Sequence, residues 1–135
     1  MNSEIPTRAL VIASPHIDRI LEGEKTWEMR SKNCRVRGPI GLIKKGGGKV
    51  VGMADITDVV GPLSTAEMLA NQDKHRITPQ RLADPSVANW NRAWVLSNVK
   101  ALGNPVPYVH PNGAQSWIVL DERARVQLAV APGLA

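Results

Sequence analysis

The sequence predicts an α+β fold in which roughly five or six mostly antiparallel strands curl into a small β-barrel with short helices on its flanks. Three observations carry this. Strand-length runs, apolar or alternating, outnumber helical patterns. Glycines interrupt several of those runs, as the bulges and sharp coiling of a small barrel require. No strand–helix–strand alternation runs through the chain, which disfavours a doubly wound parallel sheet.

Residues 8–13 form a β-branched apolar run without alternation, the pattern of a strand buried on both faces. A helix is expected next. Ser14 suits its N-cap and Pro15 its first position, Ile17, Ile20 and Leu21 make one apolar stripe, and Gly23 stops it. Residues 25–30 then alternate with period two, which puts Trp27 and Met29 on one face and Thr26, Glu28 and Arg30 on the other. Residues 38–44 and 49–56 read as strands joined in a hairpin across Lys45-Gly46-Gly47-Gly48. Ser64-Thr65-Ala66-Glu67 is a capping box that opens a short helix. The polar stretch 73–89, broken by Pro79 and Pro85, holds a second short helical segment. Residues 93–102 and 116–120 are the late strands, and they bracket a proline-rich segment, 105–111.

The chain of 135 residues suits one domain. Its N-terminus lacks the pattern of a signal peptide and no apolar run is long enough to span a bilayer, so the expectation is a cytoplasmic protein without a membrane partner. The single cysteine, Cys34, makes no disulfide within the chain and reads as a small structural residue. His16, His75 and His110 have no ligand spacing, so neither metal nor cofactor is expected.

Seventeen Lys and Arg against twelve Asp and Glu give a net charge of +5, which favours polyanionic partners. The excess is concentrated. Between residues 24 and 49, Lys25, Arg30, Lys32, Arg35, Arg37, Lys44, Lys45 and Lys49 meet only Glu24 and Glu28. The Lys44-Lys45-Gly46-Gly47-Gly48-Lys49 run is no phosphate-binding P-loop, because Val50-Val51 continues it as a strand, where a P-loop would open a helix. It remains a candidate basic hairpin tip for a nucleic-acid backbone.

The run from Ser14-Pro15-His16-Ile17 to Arg30, followed by residues 37–43, resembles the ASCH family. That family's hallmark, Gly-x-Lys-x-x-Glu-x-Arg, falls here on Gly23, Lys25, Glu28 and Arg30. Trp94-Val95-Leu96, the segment 105–111 and Trp117 look like one bacterial branch of it. The similarity thus covers roughly residues 8–120, and the domain is expected over 1–120 with 121–135 as a C-terminal appendage. The resemblance implies a PUA-like fold, kinship with domains that read RNA and modified bases, and a cleft between barrel and helices. Within the family some members are thought to bind nucleic acid, some to cleave RNA with a metal, and some to hydrolyse N4-acylated cytidine with Thr, Lys and Glu. In the last group a Thr stands three residues after the motif Lys; here Glu28 holds that place and the nearest Thr is Thr26.

Two classes of function follow. In the first, the protein is a binding module for RNA, single-stranded rather than double, or for a nucleotide. Lys25, Glu28 and Arg30 form its charged centre, Ser14 and His16 offer the first helical turn, and Lys44 and Lys45 form the rim. Of Trp27, Trp90, Trp94 and Trp117, Trp94 is the first choice for stacking on a base. In the second class the same cleft is that of a small hydrolase, with Lys25 as general base, Thr26 as nucleophile and Glu28 as proton shuttle, or with Glu28 or Asp55 holding a metal in a ribonuclease. Because the alternation sends Arg30 to the face opposite Trp27 and Met29, its loss is expected to leave folding nearly intact. Oligomeric state is left open.

Overall fold

The computed structural model describes residues 5–130. The elements run β1 (Arg8–Ile12), α1 (His16–Leu21), β2 (Trp27–Arg30), β3 (Gly38–Lys44), β4 (Lys49–Val60), α2 (Thr65–Ala70), α3 (Gln72–His75), α4 (Pro79–Leu82), β5 (Arg92–Pro107), β6 (Trp117–Val119) and α5 (Glu122–Val130). The strands make one sheet in the order β2-β5-β4-β3-β1-β6. Only β1 and β3 are parallel; the other neighbours are antiparallel. The sheet curls into an open half-barrel. Trp94 on β5 stacks on Trp117 on β6, 6.0 Å between ring centroids, although three strands separate them in the sheet.

β1 lacks alternation because both its faces are covered. Leu10 and Ile12 point into the barrel against Ile40, Leu42, Ile56 and Leu96, while Ala9 and Val11 pack outward with Ile43, Val50 and Ile118. The segment expected as an appendage carries α5, whose Ala124 and Leu128 are buried in that outer layer. A third cluster, Met29, Met68, Ile77 and Ala93, joins the other face of β2 to the helical insertion between β4 and β5.

α1 begins one residue later than expected. Pro15 holds the cap position, and the Ser14 hydroxyl donates to the Asp18 carboxylate at 2.5 Å where a cap would accept from the backbone. Gly23, at φ +84°, closes the helix in a Schellman pair of bonds, Gly23 N–H to the Ile20 carbonyl and Glu24 N–H to that of Arg19. The capping box at Ser64 forms as expected. β5 does not stop before the prolines; it continues to Pro107, which pairs with Lys49 across an irregular stretch that takes up Gly103-Asn104-Pro105.

One glycine fixes the approach to the helical insertion. Gly61 sits at φ +138°, and a Cβ there would lie 2.6 Å from the Asn91 carbonyl oxygen, a backbone atom next to Trp90. Gly61→Ala is therefore expected to lower stability by roughly 2–4 kcal/mol through strain and overlap together. Gly46→Ala, also at positive φ but with open space around it, should cost only about 1 kcal/mol; urea unfolding of the two variants checks the contrast.

Candidate functional site

The seam between β2 and β1 opens into a cleft of about 470 Å³. β2 supplies Glu28 and Arg30, the turn before it Lys25, the start of α1 His16, and the β3–β4 turn Lys45. Alternation does the local work: with Met29 and Trp27 packed in the third cluster, Glu28 and Arg30 must face the other way.

Arg30 laces the seam. Its Nε donates to Glu28 Oε2 at 2.9 Å, its Nη2 donates to the Val11 carbonyl on β1 at 3.0 Å, and its guanidinium lies 5.5 Å from the centroid of Trp94. The side chain is 22% exposed against 8% for Glu28. The expectation of a structurally dispensable Arg30 is thereby corrected, because this guanidinium bridges the edge strand β2 to β1, with β5, β4 and β3 between them in the sheet order.

Lys25 is 1% exposed and donates from Nζ to the His75 carbonyl at 2.5 Å. Burial pulls its pKa down from 10.5 to about 8, Glu28 working against that and Arg19 and Arg30 with it. The carbonyl it meets is held from behind. His75 is fully buried, donates Nε2–H to the Met68 carbonyl at 2.7 Å and accepts the Ile77 N–H on Nδ1 at 2.9 Å. That pair of bonds needs the neutral ring, and burial lowers the His75 pKa accordingly. His16 is also shifted down, first by burial and then by Lys25, and its buried Nδ1 has no bonding partner among the described residues.

Other expected residues fall elsewhere. Thr26 is exposed, and its backbone is committed on both sides, N–H to the Lys74 carbonyl and carbonyl to the Leu96 N–H; it does not line the cleft. Ser14 and Lys44 both engage Asp18, the latter at 3.6 Å, away from the cleft. Trp94 offers no open face: it is 4% exposed, sits between Trp117 and Arg30, and donates from Nε1 to the Lys32 carbonyl at 3.0 Å. The cleft aromatic is Trp90, with Arg81 5.8 Å from its ring centroid. Ser31, Gln115 and Ser116 also line the cleft. Nothing in the sequence marks these polar residues, since they reach the cleft from loops and from the far end of the chain.

The basic run 24–49 is divided by the fold. Arg35 and Arg37 join Arg8 around a separate cavity of about 390 Å³, Lys44 pairs with Asp18, and Lys25, Arg30 and Lys45 belong to the cleft. Glu28 is engaged by Arg30, Asp55 accepts from Asn98 at 2.8 Å outside the cleft, and among the described residues no three His, Cys, Asp or Glu side chains gather. No described helix is long and apolar enough to cross a membrane.

Comparison with known proteins bears on the fold. A family model for the ASCH domain matches residues 10–106. No curated protein matches the sequence. Among solved structures, the crystal structure of ASCH from Zymomonas mobilis is similar at 13% identity and a TM-score of 0.67, over 93% of this chain and 95% of that one. Two single-site mutants of the Zymomonas mobilis protein, each 14% identical, give TM-scores of 0.67 and 0.65; the alignments span 93% and 90% of this chain and 97% and 95% of theirs.

Proposed function

Because the chain belongs to the ASCH domain family, we propose that it binds single-stranded RNA or a nucleotide in the basic cleft beside Arg30. The observation that carries this reading is the convergence of three cations, Lys25, Arg30 and Lys45, with one carboxylate and one aromatic, Trp90, in one cavity. Cations supply the sequence-independent attraction to phosphate, the indole supplies a π-face for a base, and Glu28 can accept from an exocyclic amine. Anisotropy of a fluorescein-labelled single-stranded RNA across a salt series tests it. Affinity should fall with a slope of about −0.7 in log–log form for each phosphate neutralised; no binding at low ionic strength would refute the reading.

One observation favours a second reading, a small hydrolase. A buried amine with a pKa of about 8 beside Glu28 is competent to accept a proton near neutrality. Against its amide-hydrolysing form, Thr26 lies outside the cleft. Glu28→Gln separates the two. The amide still accepts a hydrogen bond, so RNA affinity is expected to change by less than about tenfold, or 1.4 kcal/mol. In an enzyme that moves a proton on this carboxylate, turnover would collapse while affinity held.

A further inference from the structure

Next to the cleft lies a second cavity of about 650 Å³, which shares Val11, Lys45 and Gln115 with it and adds Tyr108, His110 and the glycine loop. Each cavity falls within the range of roughly 300–1,000 Å³ that holds a small organic ligand. The chemistry of the second wall is restricted in an informative way. His110 Nε2 lies 2.8 Å from the Ala114 carbonyl, an acceptor only, so Nε2 carries a hydrogen; Nδ1 shares a second hydrogen bond of 2.9 Å with the Tyr108 hydroxyl, which donates when the ring is neutral. Both ring nitrogens are spent within the protein. While those bonds hold, what the ring offers a ligand is its faces. They are not consumed by Tyr108, whose ring is tilted 56° away at 5.8 Å between centroids. His110 is itself exposed.

The partition between the cavities is equally specific. Of the two neighbouring lysines on the hairpin, Lys44 gives its charge to Asp18, whereas Lys45 has no carboxylate within ion-pair distance among the described residues. The Lys45 backbone is fixed by its N–H to the Ile12 carbonyl at 3.0 Å. Beyond it Gly46 and Gly48, both at positive φ, have open space where a Cβ would stand, so a ligand can come close to the chain.

We propose that the ligand is a strand of at least two nucleotides rather than a single one: one base lies beside Arg30 and Trp90, the next lies against the His110 ring, and the phosphate between them sits at Lys45. This rests on the nucleic-acid reading above and specifies its substrate class. Alternating π-faces and a cation at the intervening phosphate are what single-strand recognition requires.

The test compares a fluorescein-labelled, mixed-sequence RNA of eight nucleotides with the four nucleoside monophosphates. The octamer is expected to bind at least about tenfold more tightly than any monophosphate. His110→Ala should weaken the octamer by roughly 5- to 150-fold, the range of one base–aromatic stack, and leave the monophosphates unchanged. His110→Phe, which keeps a π-face without ring nitrogens, should retain most of the affinity, and Lys45→Ala should flatten the salt slope by about 0.7. Monophosphates that bind as tightly as the octamer, with His110→Ala silent, would overturn the two-nucleotide inference and leave the nucleotide reading standing. If neither the octamer nor the monophosphates bind, both fall.

Discussion

Arg30→Ala is expected to abolish RNA binding and to lower stability by roughly 2–4 kcal/mol. Truncation removes the cation from Glu28, which is 6% exposed, and leaves the Val11 carbonyl on the opposite lip of the seam without its donor. Breaking a fully buried pair costs about 3–5 kcal/mol; the partial exposure of Arg30 puts the figure here lower. Arg30→Lys keeps the charge but cannot reach Glu28 and Val11 with one planar fork, and should fall between. The paired change Arg30→Met with Glu28→Gln separates the two losses: it removes the stranded carboxylate, so stability should recover while binding stays lost. Urea unfolding and RNA anisotropy on the three proteins give the answer. If Arg30→Ala unfolds at the wild-type midpoint and still binds RNA, the seam-lacing role and the site assignment both fail.

The second large effect concerns Lys25. Its folded pKa of about 8 lies below the unfolded value of 10.5, so below pH 8 the folded protein carries a buried ammonium that the unfolded chain solvates more readily. Between pH 8 and 10.5 the unfolded state binds the extra proton, and stability rises with pH across that window. The difference corresponds to about 3 kcal/mol. Tyr108, whose pKa is raised by burial, works in the opposite direction above pH 10, so the clean quantity is the difference between wild type and Lys25→Met. That difference should grow by about 3 kcal/mol from pH 7.5 to 10.5. Parallel stability curves for the two proteins would show that the amine titrates as an ordinary surface lysine.

Much of this arrangement can be read before folding, for a physical reason. The period of two in residues 27–30 is a property of extended backbone, so Glu28 and Arg30 share a face whatever the rest of the chain does. The capping box at Ser64 is likewise local. What escapes is whatever depends on distant partners. Trp94 reads as the stacking indole because its composition is right, but Trp117, twenty-three positions later, takes its face. Ser14 and Lys44 are spent on Asp18, a competition invisible in a charge count. Pro105 and Pro107 read as a break in β5, whereas an irregularity in the pairing absorbs them. His75 acts through its carbonyl, which carries no side-chain signature at all.

The position of β1 between β3 and β6 sets a timetable for synthesis. The wall of the cleft combines Val11 and His16 with Gln115 and Ser116, which are made only after β2 to β5, and the Val11 N–H reaches the Ser116 carbonyl directly at 2.8 Å. A chain emerging from the ribosome can pair β3 with β4 and β4 with β5 through sequential connections, while β1 waits for its second neighbour until all of these have been made. The cleft is consequently incomplete until β6 and the loop before it have been made.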